Sequence, residues 1–262
     1  MGHMHHMAGG WATPLLSYVM AVVGSALGLR CTVRALTAGG RSRRNWLVSA
    51  SIAIGAGIWT MHFIAMLGYT VDGTAIRFDI PLTLLSLLVA IAIAVVGAGV
   101  FTAGYGKSRV RSVLFGGIGT GLGVAAMHYI GMAAVELNGT ISYDPAVVTA
   151  SVVIAIAAAS AALWAALSVR GPAVAAVAAL VMGLAVSSMH YTGMAAVTVN
   201  VQASNAPLPG ASATAFILPL AVVLGSFLFL TCAFVALSPT ARERAEGEAA
   251  ARPLHEVELP VA

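Results

Sequence analysis

Seven apolar stretches, each long enough to cross a bilayer, follow one another along almost the whole chain. They cover roughly residues 12–36, 46–70, 80–105, 111–136, 145–169, 173–198 and 213–237. A spanning helix needs about 20 predominantly apolar residues, so this pattern alone removes most folds open to a chain of 262 residues. Charge agrees with it: only 8 % of the side chains are Asp, Glu, Lys or Arg, against about 25 % in an ordinary soluble domain. A soluble globule would lack the charge to cover its surface, which excludes a cytosolic α/β enzyme. The stretches are rich in Ala, Val, Leu and Gly and show no period-2 alternation, so helices are expected and a β-barrel is not. Pro14, Pro81, Pro145, Pro172 and Pro219 stand at or near the starts of spans, where a missing N–H costs little. The expected fold is an all-α polytopic membrane bundle of seven transmembrane helices, built as three repeated helical hairpins plus one. The expected segments are an extracytoplasmic His/Met-rich tail over 1–10, the membrane domain over 11–237 and a short cytoplasmic tail over 238–262.

Basic residues orient the bundle. Arg30, Arg34, Arg41, Arg43 and Arg44 lie around the loop after span 1. Lys107, Arg109 and Arg111 follow span 3, Arg170 lies between spans 5 and 6, and Arg242, Arg244 and Arg252 follow span 7. Only Arg77, of the thirteen basic residues, falls on the other side. The positive-inside rule then places the N-terminus outside and the C-terminus in the cytoplasm of a multi-pass cell-membrane protein. The net charge of +4 is accounted for by topology, and no nucleic-acid partner is expected. The lipid bilayer is the first partner. No basic region precedes span 1, so it reads as a retained span.

Self-comparison reveals a repeat. Spans 2, 4 and 6 contain WTMHFIAMLGY, AAMHYIGMAAV and SSMHYTGMAAV, each a Met-His-aromatic-x-x-Met block. The histidines are His62, His128 and His190, separated by 66 and 62 residues. Each expected span continues for seven or eight residues beyond its histidine. At 1.5 Å per residue this sets all three at one level, about 10–12 Å below the outer surface. Ionisable side chains inside a membrane are costly and mark functional sites. Small residues lie upstream of each block: Gly55 and Gly57; Gly119, Gly121 and Gly123; Gly183 and Ser187. Such residues let membrane helices approach closely.

Within each block the histidine and the later methionine are four residues apart and share a helix face: His62 with Met66, His128 with Met132, His190 with Met194. Met61, Met127 and Met189 directly precede the histidines. Imidazole with thioether is a soft donor set that suits copper, above all Cu(I), better than Zn, Mg or Ca. The expected metal site therefore comprises Met61, His62, Met66, Met127, His128, Met132, Met189, His190 and Met194.

The three blocks resemble the signature of the MHYT domain, a bacterial integral-membrane sensor domain named for that tetrapeptide. Met189-His190-Tyr191-Thr192 matches in full; the second copy departs at Ile130, and the first at Phe63 and Ile64. The resemblance covers about residues 10–237. It implies a sensory protein for a diatomic gas (O₂, CO or NO) or for redox state, acting through copper held near the outer face. The copper ligands it implies are Met61, His62, Met127, His128, Met189 and His190. Many members carry a cytoplasmic signalling domain. Residues 238–262 are too short for one, so a separate cytoplasmic signalling partner is expected.

Outside the repeats, His3, Met4, His5, His6 and Met7 form a candidate copper-capture tail on the same outer side. Cys31 and Cys232 sit near the inner ends of spans 1 and 7, either as packing residues or as an inner exit site. Two further functions remain open: copper transport across the membrane, and haem binding with two of the histidines as axial ligands. Transport is weakened because the inner halves of spans 2, 4 and 6 offer no further Met or His except Met182. An enzyme is not expected, since the aqueous segments hold no carboxylate dyad, nucleophile–base pair or phosphate loop.

Overall fold

The computed structural model describes residues 4–5, 10–104, 108–168, 171–202 and 207–237. The chain is a helical bundle, as its composition predicts. The helices are α1 (Ala12–Thr37), α2 (Gly40–Met66), α3 (Ile80–Gly104), α4 (Arg109–Ala133), α5 (Pro145–Ser168), α6 (Pro172–Ala195) and α7 (Leu218–Leu237). Six of them are long and apolar enough to cross a membrane over their described residues, and α3 adds 25 residues that include the apolar run Ile80–Val95. Pro145 and Pro172 open their helices, and Pro81 and Pro219 take the second position. A π-helical turn, Ala213–Ile217, leads into α7.

Helices α1 to α6 close into a ring in chain order, with α6 returning to pack on α1. The histidine-bearing helices α2, α4 and α6 therefore alternate with α3, α5 and α1. Helix α7 stays outside the ring, against α1 and α2. Small residues close the ring at backbone distance. A Cβ on Gly24 of α1 would lie 2.8 Å from the Cα of Gly57 of α2. Gly55 meets the backbone of Ile91 on α3, Gly121 that of Ile156 on α5, and Gly183 packs on Val22 of α1. The small-residue runs thus join each histidine helix to its ring neighbours. Gly119 differs from the expectation: a Cβ there would meet nothing within 4 Å among the described residues.

The histidine helices also end sooner than the apolar pattern suggests, at Met66, Ala133 and Ala195 in place of 70, 136 and 198. The residues that follow are β-branched, Thr70-Val71, Val135 and Val197-Thr198-Val199, and they turn into short strands, for which such side chains are suited. These strands are β2 (Thr70–Val71), β4 (Val135–Glu136) and β6 (Val197–Val201). They pair with β1 (Met4–His5), β3 (Arg77–Phe78) and β5 (Gly139–Tyr143) respectively, while β7 (Ala211–Ser212) adds to β3. A β layer therefore covers the histidine end of the bundle. The histidines lie four or five residues from their helix ends, about 6–8 Å at 1.5 Å per residue, and the strands above supply the remaining cover.

The loops Ile76-Arg77-Phe78-Asp79 and Ile141-Ser142-Tyr143-Asp144 are alike in sequence and in structure. Asp79 accepts a hydrogen bond from the Leu82 N–H at 2.7 Å, and Asp144 from the Ala146 N–H at 2.8 Å. Each carboxylate caps the helix that follows, satisfying donors that have no intrahelical partner. The backbone N–H of each donates across the bundle, Asp79 to the Ala134 carbonyl at 2.8 Å and Asp144 to that of Ala196 at 2.9 Å. The starts of α3 and α5 are thereby fastened to the ends of the next histidine helices.

Candidate metal centre

His62 from α2, His128 from α4 and His190 from α6 converge on the bundle axis, all three with no exposed surface. The Nδ1 atoms form a near-equilateral triangle: His62 to His190 3.0 Å, His62 to His128 3.2 Å, His128 to His190 3.4 Å. The rings stand almost perpendicular to one another, at 82–86°. Among the described residues this is the one group of three or more His, Cys, Asp or Glu close enough to hold an ion.

The donor set fits a metal ion on chemical grounds. Each Nδ1 offers a single site, an N–H or a lone pair. Three of them can form one donor–acceptor pair and leave the third over. A cation at the centre takes three lone pairs at once. The mean side of 3.2 Å divided by √3 puts the midpoint about 1.9 Å from each nitrogen, close to the 2.0–2.1 Å of a metal–imidazole bond. Coordination through Nδ1 leaves the ring proton on Nε2, and all three Nε2 atoms are buried without a hydrogen-bond partner among the described residues.

Two glycines give those Nε2 atoms room. A Cβ on Gly131 would lie 2.7 Å from His62 Nε2, and one on Gly193 would lie 2.5 Å from His128 Nε2. Both glycines stand three residues after a histidine; the matching residue of the first copy is Ala65. Sequence reasoning missed them, although the repeated Gly at that offset was visible. It also missed how the first copy manages without a tyrosine. Tyr129 hydrogen-bonds Ser151 of α5 through its hydroxyl at 2.6 Å. The matching serine of α3, Ser86, instead accepts from the indole N–H of Trp59 at 2.9 Å. Trp59 packs its ring on Phe63 at 4.5 Å. The indole takes the place of the missing hydroxyl, so Phe63 needs none. In the third copy the α1 helix beside α6 carries the buried Ser17, whose hydroxyl donates to the Pro14 carbonyl at 2.9 Å, and the Tyr191 hydroxyl has no partner among the described residues.

The six methionines of the blocks are all buried. Met61, Met66, Met127, Met132 and Met194 belong to the main core, and Met189 packs with Ala125 and Ala155 in a smaller cluster. The imidazoles meet at the centre, and the methionines that flank them in sequence are buried in these apolar clusters. Of the candidate capture tail, the backbone of Met4–His5 pairs with Thr70–Val71, just past the end of α2; His3, His6 and Met7 lie outside the described residues. So does the expected tail over 238–262. Cys31 and Cys232 are free thiols, the first buried in the main core and the second half-buried against it.

Three successive segments, residues 55–116, 121–179 and 183–245, match the model of the family described as "MHYT: Bacterial signalling protein N terminal repeat". The bifunctional diguanylate cyclase/cyclic di-GMP phosphodiesterase MucR of Pseudomonas aeruginosa is 40 % identical over 188 residues, covering 69 % of this chain and 27 % of that protein. The cyclic di-GMP phosphodiesterase NbdA of the same organism is 39 % identical over 170 residues, 61 % of this chain and 21 % of its own length. The signaling protein YkoW of Bacillus subtilis is 32 % identical over 194 residues, 70 % and 23 % respectively. The match thus spans about a quarter of the length of these curated relatives. No solved structure matches the chain.

Proposed function

Because the chain belongs to the MHYT family of bacterial signalling repeats, we propose that its three histidines hold a copper ion, Cu(I) at rest, at which the protein senses a diatomic gas or redox state. The observation that carries this reading is the buried triangle of Nδ1 atoms. Cu(I) suits it better than a divalent ion. The cost of burying an ion rises with the square of its charge, and the three neutral imidazoles bring no counter-charge. Imidazole donors suit copper as well. Haem is disfavoured by space: rings whose nitrogens stand 3.0–3.4 Å apart leave no gap for a porphyrin. Bound by His62, His128 and His190, copper would supply a one-electron couple and an open position for a small ligand.

The remaining residues hold this site dry and fixed. The β layer and Trp59 with Phe63 exclude water, and Gly131 and Gly193 let the rings sit close to their neighbours. The seven spans carry the N-terminus to the outer side; the support is the basic residues, since Arg30, Arg34, Arg41, Arg43, Arg44, Arg109 and Arg111 all lie at the end away from the histidines. On this orientation the Met4–His5 strand crosses the outer end, where it can hand copper to the site. The signal passes to a cytoplasmic output of the cyclic di-GMP-metabolising class named for MucR and NbdA. Metal analysis of protein purified under reducing conditions without added metal tests the reading. Copper near one per chain, lost in His128→Ala, is expected. Zinc, no metal, or an intense Soret band overturns it.

A further inference from the structure

Beneath the histidines, on the side away from the β layer, the ring encloses an apolar chamber of about 70 Å³. Its lining comes from all six ring helices, and Met189, the residue before His190, is part of it. Of its four lining hydroxyls, on Ser25, Thr32, Ser51 and Thr120, two are turned to their own helices: Thr32 donates to the Gly28 carbonyl at 2.8 Å and Ser51 to that of Leu47 at 2.9 Å. With no charged side chain among the described lining residues and two of the four hydroxyls spent on backbone, water gains little there, and cavities lined so largely by apolar side chains stay dry. Size limits the occupant. The chamber exceeds the roughly 10–15 Å³ that admits one water-sized probe but falls well short of the roughly 300 Å³ of a site for a drug-sized molecule.

A second hollow explains how such an occupant arrives. A groove between α5 and α6, of about 310 Å³, opens on the outer surface of the ring. It shares two residues with the chamber, Ala158 and Met182. Both are partly exposed, so they form a wall one side chain thick between the hydrocarbon phase and the interior. Met182 has an unbranched side chain with three rotatable bonds, the most adaptable of the apolar residues.

We infer that the chamber is the antechamber of the histidine site, filled laterally from the bilayer core through the α5–α6 groove past Met182. Its occupant is an apolar gas of one or two heavy atoms. Such a molecule prefers hydrocarbon to water, so a door opening on lipid meets it at a higher concentration than one opening on solvent. The inference rests on the reading of the histidine triad as a ligand-sensing centre, but concerns the path to it.

Xenon tests the path without metal or gas chemistry. The full chain in micelles is followed by ¹²⁹Xe NMR, and its crystals are pressurised with xenon. One xenon bounded by Met189, Ala159 and Val124 is expected, with exchange slowed at least tenfold in Met182→Trp. Leu184→Trp, on the lipid face of the same helix, should leave exchange unchanged, and copper content should be unchanged in both. Ala158→Leu closes the same wall from α5 should the tryptophan variant not fold. Ordered water in the chamber, absence of xenon from it, or exchange indifferent to both wall variants overturns the proposal. Xenon in the chamber of a protein that binds no copper would leave the path standing and remove the sensory reading. Copper without xenon would do the reverse.

Discussion

Gly131→Ala probes the site without touching a histidine. The new Cβ would sit 2.7 Å from His62 Nε2, about 0.8 Å inside the optimum separation of non-bonded heavy atoms. Imidazole is rigid, so a push at Nε2 carries Nδ1 with it, and that Nδ1 already stands 3.0 and 3.2 Å from its two neighbours. Metal sites tolerate about 0.2 Å in ligand distance. The expected result is a 10- to 100-fold loss of copper affinity, the range typical for groups that orient ligands, with an overpacking cost of about 1–3 kcal/mol. Gly119→Ala on the same helix is the control. Its Cβ meets nothing, so copper affinity should hold and the helix should gain about 0.5–1 kcal/mol. Competition against a chromophoric Cu(I) chelator reads the affinity, and thermal unfolding reads the stability. Wild-type affinity in Gly131→Ala, or an equal loss in Gly119→Ala, would refute the steric argument.

Other substitutions test separate parts of the architecture. His128→Ala should reduce copper content at least tenfold while Met20→Ala, outside the repeated blocks, leaves it unchanged; metal analysis of the two purified variants decides. Phe63→Tyr should destabilise by about 1–3 kcal/mol, because Trp59 already occupies Ser86 and the new hydroxyl is left buried without a partner; a stability unchanged in thermal unfolding would count against that assignment. Asp144→Ala should cost about 1 kcal/mol through loss of the α5 cap, again read by unfolding. Reporter fusions after Arg44, after Arg111 and at the C-terminus should all read as cytoplasmic, and two contrary readings would reverse the bundle in the membrane.

Much of this molecule is written locally. The spans are legible because a bilayer-spanning helix must satisfy its own backbone within one apolar segment, and Pro145 and Pro172 mark starts where a proline is tolerated. The histidine blocks are legible because they recur at one offset along three helices that run the same way, so equal sequence position becomes equal depth. The helix ends are not legible, because hydropathy does not distinguish a last helical turn from a β-branched strand; Val135 and Val197 leave the helix because a partner strand waits for them.

What the tertiary structure alone decided is who faces whom. The order of the ring, with α1 inside it and α7 outside, follows from packing between segments far apart in sequence. So does the division of labour among the glycines: Gly119, in the richest run, touches nothing, while Gly131 and Gly193 make space for imidazoles donated by other helices. The exchange of a tyrosine hydroxyl for the Trp59 indole at Ser86 likewise joins residues on two helices. Composition and periodicity report how one helix meets lipid; whether three imidazoles meet at 3.0–3.4 Å depends on the rotation and separation of three helices together, which no single segment encodes.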